Sequence, residues 1–295
     1  MTRRRGTIAF IGLGVMGNLM AARLEKTYAV RSYDLNGKGN CGSARDAAWG
    51  ADALVTMLPD GDAVRDAVLD ALPSLRPGAI VVDMSSSDPA ATLALGRALR
   101  ARKVEMVDAP VSGARFKAKD GTLAIMVGGE KRTVKRVMPL LQRLGTEIFH
   151  VGPLGAGHAV KALNNYLGAA GTLAGFEALL IAQKFGLDPK PMIAAINAST
   201  GRNSTTARKI PQDVLTGRFA SGFKLALMAK DVGIAADLAR ALRLNVPYLR
   251  ETLKHWRAAQ KQLPRHADHT EIYKYQRRSL TPFRKKGPDT FSRRR

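Results

Sequence analysis

Lys161 and Asn165 stand four residues apart in an Ala- and Leu-rich stretch, so a helix there puts both on one face. A lysine near other cations in a closed cleft loses its proton near neutral pH and can serve as a general base, or as the acid in reverse. An amide one turn on can orient a substrate hydroxyl or carbonyl. On spacing alone the pair reads equally as a solvated lysine and a helix-face amide. Ser112-Gly113 follows the apolar run Asp108-Ala109-Pro110-Val111. A hydroxyl and free backbone N–H groups at the C-terminal end of a strand can hold a carboxylate. An ordinary turn is the alternative. Lys230-Asp231 lies in a helical run, where a surface ion pair worth little is the plain reading. His266-x-x-His269 has the right residue types for a metal, but no cysteine partner and no second cluster. Loop histidines explain it better, and no metal is expected.

Residues 8–17 prepare a place for a second reactant. Ile8-Ala9-Phe10-Ile11 runs into Gly12-Leu13-Gly14-Val15-Met16-Gly17, and a helical pattern follows. A strand, a glycine turn and a helix N-terminus in this order fit a dinucleotide pyrophosphate. Gly12 permits the turn, Gly14 lets the backbone approach the phosphates, and Gly17 lets helix and strand pack closely. The helix dipole and free N–H groups favour the negative charge. A second apolar run, Tyr28 to Tyr33, ends at Asp34, 17 residues past Gly17. A carboxylate there can accept from a ribose 2′-OH and repels a 2′-phosphate, which predicts NAD rather than NADP.

The elements that must position these groups alternate to about residue 150. Ala53–Pro59, Ala79–Met84, Val104–Ala109 and Leu123–Gly128 read as buried strands, and Asp62–Leu75 and Ala90–Arg102 as helices. Ser85-Ser86-Ser87-Asp88-Pro89 can cap the second helix. After Gly152–Gly157 strand signals stop, and helical patterns cover 159–187, 190–198, 224–242 and 246–262. The expected fold is α/β: a Rossmann-type, doubly wound, mainly parallel sheet domain over 1–156, then an all-α substrate and oligomerisation domain over 157–276.

Residues 277–295 read as a basic tail, mostly disordered. Much of the formal net charge of +23 is local, at Arg3-Arg4-Arg5 and in this tail, and such a balance can attract nucleic acid, acidic membranes or anionic substrates. No nucleic-acid-binding motif accompanies it, so nucleic acid enters only as a partner of the tail. No apolar stretch is long enough to span a bilayer, so no membrane partner is expected. No cleaved targeting segment is expected, because the first strand begins within ten residues. Cys41 is the only cysteine, so no intrachain disulfide can form and a cytoplasmic setting fits.

Several of these segments, in this order, resemble the β-hydroxyacid dehydrogenases, the group of 3-hydroxyisobutyrate dehydrogenase and tartronate semialdehyde reductase, akin to 6-phosphogluconate dehydrogenase. They are Gly12–Gly17, Met57-Leu58-Pro59, Asp83-Met84-Ser85-Ser86, Asp108–Gly113, Gly121-Thr122-Leu123, Gly157–Asn165 and Lys230-Asp231. The resemblance covers about Thr7 to Tyr275. It implies Lys161 as catalytic acid/base, Asn165 as a substrate-placing residue, and Ser112 and Gly113 as the carboxylate site. It implies Gly12, Leu13, Gly14, Val15, Met16, Gly17, Asp34, Leu58, Pro59, Ala63, Ser86 and Lys230 around the cofactor, and a homodimer or homotetramer built on the helical domain. The implied reaction is hydride transfer between nicotinamide and a small 3-hydroxy acid or its semialdehyde. Neutral Lys161 takes the hydroxyl proton in the oxidative direction.

Three departures stand out. The stretch from Asp34 to Ala53 is about ten residues short, and Leu35–Gly42 reads as a loop where the family has a helix and a further strand. Ala114 replaces a second glycine and is followed by Arg115, Lys117 and Lys119, which with Arg202 could serve a larger or more anionic substrate. The segment Asp268–Tyr273 resembles the family's closing segment, but the basic run after Gln276 does not. An aldehyde-acid reductase running in the opposite direction, a non-catalytic remnant and a polyanion-binding protein are the competing readings.

Overall fold

In the computed structural model the described residues are 6–113 and 115–279. The expectations for Arg3-Arg4-Arg5, for Ala114 and for the tail from residue 280 lie outside them. Strands and helices alternate first: β1 (Thr7–Ile11), α1 (Val15–Leu24), β2 (Ala29–Tyr33), α2 (Ala44–Ala48), β3 (Ala53–Thr56), α3 (Gly61–Ala71), β4 (Ile80–Asp83), α4 (Pro89–Arg100), β5 (Glu105–Asp108), β6 (Val111–Ser112), α5 (Arg115–Asp120), β7 (Leu123–Gly128), α6 (Lys131–Leu141) and β8 (Gly145–Gly152). Helices follow: α7 (Ala156–Phe185), α8 (Pro189–Asn197), α9 (Leu225–Ala241), α10 (Pro247–Gln262) and α11 (Ile272–Ser279), with a π-helical stretch at Thr205–Val214. Arg277 and Arg278, expected to begin the tail, are in α11.

The chain divides into two compact units, Met1–Leu167 with Met228–Leu253, and Gly168–Leu227 with Lys254–Arg295. The first holds one sheet in the order β2-β1-β3-β4-β5-β7-β6, with β8 on β7. The strands from β2 to β5 pair in parallel, and β7 runs antiparallel to β5 and β6. Both faces are covered, which is why these strands are near-continuous apolar runs. Ile8 and Phe10 join the core with Met20, Leu24, Val137 and Leu140, while Ala9 and Ile11 join the one with Val64, Val68, Leu95 and Leu99. The order reverses at β1, which lies between β2 and β3. A crevice at the C-terminal ends of such strands is where ligands of doubly wound folds bind.

The shortened stretch after Asp34 has a structural answer. A doubly wound sheet commonly carries another strand outside β2, but here β2 is the edge. Leu35–Gly42 folds back along that edge instead. The Asn40 side chain accepts from Ser32 N–H (2.8 Å) and donates to the Val30 carbonyl (3.0 Å), as a neighbouring strand's peptide would. The N–H groups of Asn40 and Cys41 both donate to the Ser32 carbonyl. A short helix not anticipated from the sequence, α2, follows, capped by Ser43.

The second unit is helical and has a buried polar cluster of its own. Asp268 accepts from Ser221 Oγ, Thr270 N–H and Thr270 Oγ1 at Oδ1, and from Gly222 N–H at Oδ2. Burial alone would raise its carboxyl, but these donors hold it below the usual range. His269 is no loop residue. It is 5% exposed, lies against the Trp256 and Phe223 rings, and burial and the nearby Lys209 charge push it down to about 4. Lys209 donates to Thr172 Oγ1 (2.7 Å) and Thr205 Oγ1 (3.3 Å), and burial lowers it to about 8.

Candidate active site

The glycine turn after β1 is built as its spacing demands. Gly12 has φ +98°, and a Cβ there would strike the Met57 carbonyl oxygen and lie 3.0 Å from the Met57 carbonyl carbon. A Cβ at Gly17 would collide with the Gly12 carbonyl, so α1 starts directly against the turn. A Cβ at Gly14 would meet nothing within 4 Å. That open backbone at the start of α1 fits an approaching pyrophosphate. Gly14 and Val15 are exposed, Met16 is partly buried against the core, and Leu13 is buried. Asp34 closes the turn from β2: its Oδ2 accepts from Leu13 N–H (2.7 Å) and its Oδ1 from Asn36 N–H (2.9 Å). Burial would raise the Asp34 carboxyl, but these backbone donors and nearby Lys38 hold it low. It therefore stays charged at the edge of the crevice, where a 2′-phosphate would be repelled.

The loops after β3 and β4 form the next wall. Leu58 N–H donates to Ser85 Oγ (2.9 Å), tying the two loops together. Lys230 reaches both, donating to the Pro59 carbonyl (3.0 Å) and the Ser86 carbonyl (2.6 Å). It is thus no solvated surface lysine. Ala63 sits in the first turn of α3, where its N–H meets the Asp60 cap (2.9 Å). These residues, with the glycine turn, could hold a dinucleotide.

Lys161 lies in the second turn of α7, which begins at Ala156, earlier than its apolar pattern suggested. Burial pushes its ammonium below the usual lysine range, Asp231 opposes this, and neighbouring Lys230 pushes the same way. Asn165 is 8% exposed and donates to Asp231 Oδ2 at 2.6 Å. Asp231 is itself buried, and its Oδ1 lies 3.1 Å from Lys230 Nζ without hydrogen-bond geometry. Asp231 therefore fixes the amide that shares a helix face with Lys161, a role that the sequence reading of a surface pair missed. Ser112 ends β6, where it pairs with Ala124 of β7, and Gly113 follows it. Two residues on, the Met126 carbonyl abuts Gly157 in the first turn of α7. Gly113 has φ +147° and is exposed. Arg202 lies in the other unit, exposed, before the π-helical stretch. Among the described residues no group of three or more His, Cys, Asp or Glu could hold a metal, and no helix is long and apolar enough to cross a membrane.

The N-terminal part of α7 is pinned by one acidic group that the sequence did not single out. Asp108 accepts from Gly155 N–H and His158 N–H, each at 2.7 Å. A carboxylate there meets the positive end of the helix dipole. A Cβ at Gly157 would strike the Met126 carbonyl and lie 2.9 Å from the Asp108 carbonyl oxygen, so the helix rests on bare backbone.

The chain matches known protein families over most of its length. Residues 7–152 match the family model described as the NAD binding domain of 6-phosphogluconate dehydrogenase. Residues 155–276 match the one described as NAD-binding of NADP-dependent 3-hydroxyisobutyrate dehydrogenase. The chain is 35% identical to 2-(hydroxymethyl)glutarate dehydrogenase of Eubacterium barkeri, over 81% of this chain and 84% of that protein. It is 36% identical to the NAD-dependent L-serine dehydrogenase of Pseudomonas aeruginosa, over 81% and 87%. Its fold superposes on 3-hydroxyisobutyrate dehydrogenase of Mycobacterium tuberculosis, solved with L-serine, with a TM-score of 0.86 and 31% identity, over 92% of this chain and 99% of that one. With NAD-binding domains, a Rossmann sheet and a helical C-terminal domain, the chain belongs to the β-hydroxyacid dehydrogenases, NAD(P)-dependent oxidoreductases acting on the CH–OH group of 3-hydroxy acids.

Proposed function

We propose that this chain interconverts a small 3-hydroxy acid of the 3-hydroxyisobutyrate type and its semialdehyde, using NAD, with Lys161 as general acid/base. The observation that carries the reading is the desolvated Lys161 ammonium on the same helix face as Asn165, whose amide Asp231 holds. A lysine pushed toward neutrality accepts the substrate hydroxyl proton as the C–H bond breaks, and returns it in reduction. Asn165 orients the oxygen that loses or gains that proton. Ser112 and the backbone at Gly113 hold the carboxylate. The bound dinucleotide takes up or supplies the hydride. Run in reverse on a shorter aldehyde acid, the same residues serve a tartronate semialdehyde-type reductase.

One observation favours a more anionic substrate. The stem of Lys117 lies across Gly113, with its Cβ and Cδ both 3.0 Å from where a glycine Cβ would be. Lys117 makes no ion pair among the described residues, which leaves its charge for a second acidic group on the substrate. The relative named for hydroxymethylglutarate, a dicarboxylate, supports this reading. Exposed Leu163, Leu167 and Ile181 on α7 support a homodimer or homotetramer. The lone Cys41 supports a reducing, cytoplasmic setting.

Lys161→Ala tests the assignment. Turnover should fall by about a hundredfold or more, while NAD still raises the unfolding midpoint by binding the native state. Retained turnover removes Lys161 from its role. A larger midpoint rise with NADP than with NAD overturns the reading of Asp34. No rise with either favours a non-catalytic remnant.

A further inference from the structure

His158 is wholly buried at the start of α7, one turn before Lys161, and stands between two buried carboxylates. Asp83 and Asp108 are register partners at the C-terminal ends of β4 and β5. Only donors meet Asp83: Thr56 Oγ1 (2.9 Å) and Ser85 N–H (2.9 Å) at Oδ1, and Ser87 Oγ (2.8 Å) at Oδ2. Asp108 likewise takes two backbone N–H groups.

The ring between them has acceptors on both sides. Its Nε2 lies 3.2 Å from the Ser85 carbonyl oxygen and 3.6 Å from Asp83 Oδ2. A carbonyl can only accept, so Nε2 bears a hydrogen. Its Nδ1 lies 2.8 Å from Thr92 Oγ1 and 3.7 Å from Asp108 Oδ2. A threonine hydroxyl has one hydrogen, and Thr92 Oγ1 also lies 3.0 Å from the Asp88 carbonyl, so that hydrogen goes either there or to Nδ1. In the first arrangement Nδ1 donates to Thr92 Oγ1. A ring that donates from both nitrogens is positive, and here it would stand between two carboxylates. A buried cation and two buried anions, with the α7 dipole facing Asp108, compensate one another where isolated charges would be costly.

We propose that His158, as a doubly protonated bridge between Asp83 and Asp108, is the positioning residue that sets Lys161. It joins the loop after β4, which Lys230 also touches at Ser86, to the first turn of α7, which carries Lys161 one turn on. A shift of that turn displaces the general base, and misplacement of reacting groups by about 1 Å can cost about a hundredfold in rate. The proposal rests on Lys161 being the acid/base, but part of its test is read without turnover.

Imidazole nitrogen signals of the 15N-labelled protein, with His158 identified by their loss in His158→Gln, should show hydrogen on both ring nitrogens at neutral pH. A bare ring nitrogen overturns the proposal whatever Lys161 does. Thr92→Val, which keeps shape but removes the acceptor, should lower kcat by about tenfold or more with NAD affinity within about twofold. Thr92→Ser should restore it. An unchanged kcat in folded Thr92→Val overturns the positioning role. If Lys161→Ala retains turnover while both ring nitrogens carry hydrogen, the bridge stands and the assignment of Lys161 falls instead.

Discussion

At the ends of β4 and β5, Asp83, Asp108 and His158 meet a partner at every polar atom, whereas the buried cluster of the helical unit is left partly open. There His269 Nε2, Trp256 Nε1 and Gln276 Oε1 have no hydrogen-bond partner among the described residues. Lys209 is held by two threonine hydroxyls and makes no ion pair among them. The two clusters use the same residue types for opposite ends. Full pairing fixes a geometry at the site of chemistry. Burial in the helical cluster shifts the protonation of His269 and Lys209, and shifted protonation makes stability depend on pH.

The largest expected effect tests the paired region. Gly157→Ala drives a methyl into the Met126 and Asp108 carbonyls, backbone atoms that cannot swing away. It should cost about 3 kcal/mol or more in urea unfolding, and a loss below about 1 kcal/mol would mean that α7 is not seated on β7 as described. Next comes acid. Unfolded His269 titrates near 6.5 and the folded one near 4. Between these values the unfolded chain binds the extra proton, so stability falls as pH drops from 6.5 to 4. The loss should be about 3 kcal/mol, and His269→Leu should flatten that part of the profile. Equal slopes in both proteins would erase the contrast between the clusters.

Lys209 gives a smaller effect of the same sense at higher pH, where stability again rises with pH. Its folded value near 8 lies below 10.5, so its penalty is complete below pH 8 and disappears as pH rises to 10.5. Lys209→Met should stabilise the protein at neutral pH by about 2 kcal/mol and remove the rise between pH 8 and 10.5. A destabilised variant would show that the threonine hydroxyls compensate the charge. The smallest effect lies at the sheet edge. Asn40→Ala removes two hydrogen bonds to β2 and should cost about 1–2 kcal/mol. It should weaken NAD binding more than Lys161→Ala does, because Asp34 follows directly on that strand.

Much of this was legible in the sequence, for stated reasons. β1, β3, β4, β5 and β7 are buried on both faces and announce themselves as apolar runs. The glycine turn, Asp34, Lys161 and Asn165 are set by local spacing that a strand-turn-helix and a helix face preserve. The elements that escaped are those that tertiary packing decides. β8 lies at a margin of the sheet with half its residues exposed, so its pattern is weak. α6 contains Pro139 and many charges, and only its buried stripe of Thr133, Val134, Val137, Leu140 and Leu141 makes it a helix of the core. The bridge of Asp83, His158 and Asp108 comes from three distant segments, and no local pattern marks an acid or an imidazole for the interior. For the same reason Asp231 read as a surface ion pair and His269 as a loop residue.

The Asn40 side chain has a consequence beyond the cofactor site. An outermost strand offers a row of unused peptide groups to any other strand, including one from a second copy of the chain. By occupying Ser32 N–H and the Val30 carbonyl, a single amide blocks the growth of an intermolecular ribbon at the one margin where this sheet has lost a strand. The shortened segment thus keeps colloidal safety with one side chain in place of a strand, and that side chain is the position least open to change if the loop is ever redesigned.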